Sequence, residues 1–127
     1  MYNKGLNNNN INIMATACKI GIVKENGTVE CVICWKDGQP DAAGEILTTF
    51  YETYEKAERL IAGGHMYDLD TTIRTVRYLA NDKTVSPVDY YPITFKTETA
   101  FLKADFEHQY TYLFKKGSWW AGECNRM

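Results

Sequence analysis

No apolar run in this chain approaches the roughly 18–20 residues needed to cross a bilayer as a helix, so no membrane role is expected. The start lacks a charged segment followed by an apolar one, so it does not read as a secretory signal. Neither sign of charge dominates: 14 Lys and Arg stand against 16 Asp and Glu, for a net charge of −2. That balance excludes a basic module held by bulk phosphate attraction, and no direct bulk nucleic-acid binding is expected. It also argues against a heavily acidic DNA mimic. The phosphate-cradling glycine loop, the dinucleotide fingerprint, the H-E-x-x-H zinc motif and the EF-hand loop are all missing. Only two histidines are present, and neither lies near a Ser or Cys in a recognised nucleophile motif. No catalytic residue, metal ligand or cofactor is assigned.

What is present suffices for a core. Of 127 residues, 45% are hydrophobic and 13% aromatic, and the length fits one domain. Asparagine is uneven: six of nine fall in the first twelve positions, so residues 1–13 read as a flexible tail. A rival reading lets Ile11 and Ile13 add a strand to a sheet edge. Residues 14–127 then form a single α+β domain, with no repeat, heptad or internal linker.

The clearest element is a hairpin. Apolar, β-branched runs at 17–24 and 29–35 flank Asn26-Gly27, the preferred pair for a two-residue turn. That turn pairs Ile22 with Cys31, Ile20 with Ile33 and Cys18 with Trp35, all on one face. Asp41 is placed as a helix N-cap. Ile46, Leu47, Phe50, Tyr51 and Tyr54 repeat as one helix face, and a second short helix at 55–62 turns Ala57, Leu60 and Ile61 inward before Gly63-Gly64. Residues 70–80 fit either a helix or a strand, and a helix capped by Asp70 is preferred. Residues 81–89 form a loop, Tyr91–Lys96 a strand, and Thr97 caps a helix over 98–104. A second hairpin turns at Lys116-Gly117, pairing Phe114 with Trp119, Tyr112 with Ala121 and Leu113 with Trp120. The expected fold is a largely antiparallel sheet built from two hairpins, with short helices packed on one face.

Cys31-x-x-Cys34 has the spacing of a zinc knuckle or redox motif. On a continuous strand its two sulfurs face opposite sides, so both read as small buried hydrophobes in a reducing cytosol. In the expected register Cys18 and Cys31 share a face but lie roughly 13 Å apart along the ribbon, beyond disulfide reach. His65, with Asp68 and Asp70, is a candidate for a metal-dependent hydrolase or nuclease, and His108 has Asp105 and Glu107 nearby. The blander reading makes both exposed loop residues. Arg74 and Arg77 on one helical turn can clasp an anion. Trp35, Tyr90, Tyr91, Trp119 and Trp120 exceed what one thin hairpin face needs, and exposed aromatics anchor interfaces.

The stretch from Cys34 to Leu47 resembles a group of small uncharacterised proteins of phages, prophages and some bacteria. Their hallmark is Cys-His-Trp-Asp-Gly-Tyr-Pro, three variable residues, Gly, and a Leu-rich helix. They also share a preceding hairpin like Ile20–Val29 and a closing aromatic hairpin like Tyr110–Trp120. This chain keeps Cys34, Asp37, Gly38, Pro40 and Gly44, and shows Trp35, Lys36 and Gln39 where the group has His, Trp and Tyr. The resemblance implies a phage accessory protein in the cytoplasm of a bacterial host. It would act as an anti-CRISPR-like counter-defence inhibitor that binds a host or defence protein. The candidate binding set is Trp35, Asp37, Arg74, Arg77, Tyr90, Tyr91, Trp119 and Trp120, and a homo-oligomer is expected. The alternative is an oligomeric sponge for a nucleotide-like signalling molecule, stacking a base on Tyr90, Tyr91 or Trp120 with Arg74 or Arg77 on phosphate.

Overall fold

Strand β1, Cys18–Val23, and strand β2, Val29–Cys34, form the first hairpin. The computed structural model describes residues 15–122 and 125–127. The expectations for residues 1–13 therefore lie outside the described residues. The hairpin register corrects the sequence reading by one residue: Cys18 faces Cys34, Ile20 faces Val32 and Gly21 faces Cys31. The cause is the turn. Only Gly27 has positive φ, at 86°, while Gly27 N–H donates to the Lys24 carbonyl and Lys24 N–H to the Thr28 carbonyl. This is a three-residue loop with a glycine bulge, not the two-residue turn that needs positive φ at Asn26 as well. A one-residue slip moves every side chain of one strand to the other face. Cys31 and Ile33 therefore sit opposite Cys34 and Val32 in the sheet's thickness, in a separate apolar cluster.

Pro40–Gly44 makes one wide helical turn and runs into helix α1, Glu45–Phe50. Asp41 does not cap it. Pro40 already occupies the first helical position, which suits its fixed φ and missing N–H, and Gln39 stands at the cap without a side-chain bond. The helix breaks at Tyr51 and restarts as α2, Tyr54–Ala62, whose N-cap Thr53 accepts from Lys56 N–H. Ala57, Leu60 and Ile61 face inward as expected. The break buries Leu47 and Tyr51 but turns Phe50 out to solvent.

Strands β3, Met66–Asp68, and β4, Arg77–Tyr78, replace the helix preferred for 70–80. Between them only Ile73–Thr75 makes a tight helical turn. β-branched residues crowd this segment, and Val76 and Tyr78 are buried on either side of exposed Arg77, the alternation of a strand. Strand β5, Ile93–Phe95, follows. Helix α3, Glu98–Lys103, is capped by Thr97, which accepts from Ala100 N–H. Strands β6, Tyr110–Lys115, and β7, Ser118–Ala121, form the second hairpin in the expected register. Asn125–Arg126 adds a two-residue strand, β8.

Among the described residues one eight-stranded mixed sheet results, in the order β4-β3-β2-β1-β6-β7-β8, with β5 also on β2. The fold is α+β. Most strand pairs are antiparallel, but the two hairpins meet through a parallel β1–β6 pair, and β3 joins β2 in parallel. The helices divide between the faces. α1 and α2 cover the larger cluster around Ile20, Val32, Tyr112 and Trp119, and α3 covers the smaller one through Phe101. Gly21 admits α3, because a Cβ there would lie 2.6 Å from the Phe101 ring. Lys19 is fully buried beneath that helix end. Its Nζ donates to the carbonyls of Phe101 at 2.5 Å and Ala104 at 2.8 Å and lies over the Phe101 ring, so it satisfies the helix's last carbonyls with a cation. Burial lowers its pKa. The two outer strands are two residues long each, which offers a neighbouring sheet little to pair with. Among the described residues, no helix is long and apolar enough to cross a membrane.

Candidate functional site

The loop from Trp35 to Gln39, between β2 and the first helical turn, is pinned at nearly every residue. Trp35 N–H donates to the Met66 carbonyl at 3.0 Å, fastening the loop to β3. Cys34 Sγ donates to the Lys36 carbonyl at 3.3 Å. Gly38 N–H donates to the Thr16 carbonyl at 2.8 Å, and Tyr112 Oη donates to the Gly38 carbonyl at 2.8 Å. Ala43 N–H donates to the Asp37 carbonyl at 3.1 Å. Gly38 lies so close to β1 that a Cβ there would meet backbone atoms of Ala17 and Cys18 at 2.8 Å. Asp37 takes the left-handed conformation, φ 56°, which a short polar side chain tolerates. The outcome is a rigid tip. Trp35, Lys36 and Asp37 are exposed, Trp35 at 41%, on a backbone with few alternatives.

Beside the tip runs the β3–β4 edge. The Arg77 guanidinium pairs with Asp68 and lies 5.6 Å from the Tyr67 ring centre. Tyr67 Oη donates to Asp82 at 3.0 Å, and that bond raises the tyrosine pKa. Arg74 is exposed on the preceding turn. Four of the eight sequence candidates, Trp35, Asp37, Arg74 and Arg77, thus fall at one end of the sheet. The anion clasp of Arg74 and Arg77 needed a shared helical turn. Instead a bend separates them, and Arg77 is committed to Asp68.

No family model, curated protein or solved structure matches the chain. The site is therefore read from its geometry alone.

The other four candidates lie elsewhere. Tyr90 and Tyr91 form an edge-to-face pair, centroids 5.1 Å apart, in the loop before β5, with Tyr91 exposed. Trp119 is not a surface anchor: it is 3% exposed, its Nε1 donates to the Tyr51 carbonyl at 2.8 Å, and its ring meets Phe114 edge-on. Trp120 is half-buried on the other face, with Lys115 Nζ 5.0 Å from its ring centre and that lysine paired to Glu98. Five strand steps, roughly 24 Å, separate β7 from β4, so one chain cannot bring Trp120 to Arg77 around a nucleotide.

The hydrolase candidates are spent on structure. Ile33 N–H donates to His65 Nδ1 at 2.9 Å, so the ring fills a gap in the β2 ladder between β3 and β5. Burial lowers its pKa, which keeps it neutral. Asp68 holds Arg77, and the Asp70 carboxylate accepts from Thr71 N–H at 2.7 Å. His108 accepts from Phe106 N–H at Nδ1 and bonds Thr111 through Nε2. Among the described residues, no group of three or more His, Cys, Asp or Glu is placed to hold a metal ion. Cys31 and Cys34 face opposite sides, as expected from strand parity.

Two open hollows of about 580 and 700 Å³ flank the first hairpin and share Lys24, Glu30 and Glu58. Lys24 bonds Glu58 at 2.6 Å, which raises the lysine pKa. Charges of both signs line them, and they lack the enclosed apolar walls of a small-molecule pocket. Sequence reasoning missed Lys36 and Tyr67 as neighbours of Trp35. Lys36 carried a signal, since it stands next to Trp35 in the Cys34–Pro40 stretch. Tyr67 carried none, because β3 was not foreseen.

Proposed function

We propose that this chain acts by stoichiometric binding to a protein, as an inhibitor of a host or anti-phage defence component. Its contact surface is the Trp35–Asp37 tip with the adjoining Tyr67–Arg77 edge. The observation that carries the reading is the pinned loop, which holds a half-exposed Trp, a Lys and an Asp outward on a fixed backbone. Trp, Tyr and Arg are the residue types that dominate binding energy at protein interfaces. A loop already held in one conformation gives up little entropy on docking. The phage setting rests on the resemblance of Cys34–Pro40 and of the closing aromatic hairpin. Within this reading the motif divides its labour: Cys34, Gly38 and Pro40 build the scaffold, and Trp35 and Lys36 set whom it meets.

The test is titration in a host carrying a defence system, scored by phage plating and by the mass of the purified complex. The wild-type chain restores plating at about one copy per target, and Trp35→Ala with Arg77→Ala abolishes both effects at unchanged melting temperature. A double variant as potent as the parent refutes the surface. Inhibition by far fewer copies than targets refutes stoichiometric binding. A melting temperature raised by nucleotides, and no longer raised in Arg74→Ala, moves the assignment to the ligand sponge.

A further inference from the structure

Cys18 and Cys34 face each other directly across the first hairpin, both fully buried on the same face of the sheet. Residues so placed have Cα atoms about 4.5–5.5 Å apart, inside the span of about 4.4–6.8 Å that a disulfide bridges. Both are free thiols here. Cys31, the third described cysteine, lies in the other cluster. The expected one-face register had hidden this pair, because it set Cys18 opposite Trp35.

The pair sits beneath the candidate contact loop. A Cβ at Gly38 would lie 2.8 Å from the Cys18 Cβ, and Cys34 Sγ supplies the hydrogen bond to the Lys36 carbonyl. We propose that Cys18 and Cys34 form a reversible disulfide on exposure to a peroxide, and that the new bond releases the Trp35–Gln39 loop from its sulfur anchor. The two thiols are unequal: a hydrogen bond from Cys18 lowers the Cys34 pKa, and the same contact raises that of Cys18. Cys34 is thus the more readily ionised of the two, and peroxide reaches this buried thiol when the loop above it opens. Its thiolate attacks one peroxide oxygen and the O–O bond breaks. The leaving hydroxide takes the thiol's proton as water, and Cys34 becomes a sulfenic acid. Cys18 then attacks the Cys34 sulfur. The S–S bond forms, the S–O bond breaks, and the second hydroxide leaves as water with the Cys18 proton. Two thiols lose two electrons in all and one peroxide gains them. The disulfide has no S–H to donate, so the Lys36 carbonyl loses its partner.

The experiment treats the full chain with hydrogen peroxide, quenches it and alkylates it. Before alkylation the expected product is lighter by about 2 Da, the two hydrogens lost; after it, the oxidised chain carries two alkyl groups fewer than the reduced one, with the tryptic peptides bearing Cys18 and Cys34 joined, and dithiothreitol reverses it. Cys31 shares a tryptic peptide with Cys34, so Cys31→Ala must keep the cross-link, and both Cys18→Ala and Cys34→Ala must abolish it. Amide exchange over residues 35–39 should quicken several-fold in the oxidised chain. A cross-link that survives Cys34→Ala, or oxidation that adds oxygen without joining the two peptides, overturns the proposal. All readouts are on the chain alone, so the result is independent of partner binding.

Discussion

Replacing Trp119 by Ala tests whether the second hairpin is a core element or an exposed aromatic surface. The indole is 3% exposed, packs edge-on against Phe114 at 5.3 Å, and donates to the Tyr51 carbonyl where α1 breaks. Truncating a buried Trp costs about 3–5 kcal/mol, and a stranded carbonyl adds about 1–3 kcal/mol, the two overlapping in part. A loss of about 4–6 kcal/mol is a large share of the roughly 5–15 kcal/mol that holds a domain of this size. Trp120→Ala removes a half-buried ring with a long 3.3 Å bond to the Lys115 carbonyl and a cation above it, which predicts about 1 kcal/mol. Trp119→Phe keeps the aromatic edge and strands only the carbonyl, so it should fall between them. Urea unfolding followed by circular dichroism reads all three. With a slope near 2 kcal/mol per molar, Trp119→Ala should lower the midpoint by about 2–3 M. A Trp119→Ala midpoint within about 0.5 M of the parent's, or a larger shift for Trp120→Ala, would refute the packing argument.

Gly38→Ala places a methyl 2.8 Å from the Cys18 backbone and should cost about 1–3 kcal/mol, with faster amide exchange at residues 37–43 and little change in α3. His65 has a depressed folded pKa, so it binds fewer protons folded than unfolded. Its contribution is complete above the ordinary histidine value near 6.5 and is lost as pH falls through the folded value. His65→Asn keeps an acceptor for Ile33 N–H without titrating, so the fall in melting temperature on acidification from about pH 7 should shrink. An unchanged acid profile would remove the histidine from the ladder argument. Lys19→Met leaves the Ala104 carbonyl without its donor and the Phe101 carbonyl with only the Ala104 N–H at 3.3 Å, and amide exchange should rise throughout α3 while α2 stays protected.

Signals carried by neighbouring residues were legible in the sequence. Thr97 opens its helix through its side-chain oxygen to the third residue on, and Lys116-Gly117 set the second hairpin's register, whereas the matching cap at Thr53 was passed over. The first hairpin failed by one residue because Asn26-Gly27 is compatible with two turn lengths, and burial on both faces left little alternation to choose between them. The 70–80 segment failed because Val76 and Tyr78 owe their conformation to β3, a partner that local periodicity does not reveal. Of the site, the Trp35–Asp37 tip was visible as a motif. The clamp that makes it rigid was not: Tyr112 and Gly38 are 74 residues apart in sequence, and no local pattern links them. Trp119 was misplaced outward because adjacent tryptophans on a strand must diverge, and parity alone does not say that both faces are covered.

The parallel seam between β1 and β6 has a consequence for how this chain reaches its native state. At the head of that seam Ala17 N–H bonds the side chain of Gln109, 92 residues further on. Until residues 110–114 exist, one side of β1 has no partner, and the first hairpin waits with an apolar edge open. Long-range strand pairing of this kind slows folding, since the intervening chain must be closed into a loop before the contacts reward it. During synthesis the amino-terminal hairpin is therefore the segment most exposed to wrong partners, and products cut short before residue 110 should aggregate rather than persist as a folded half.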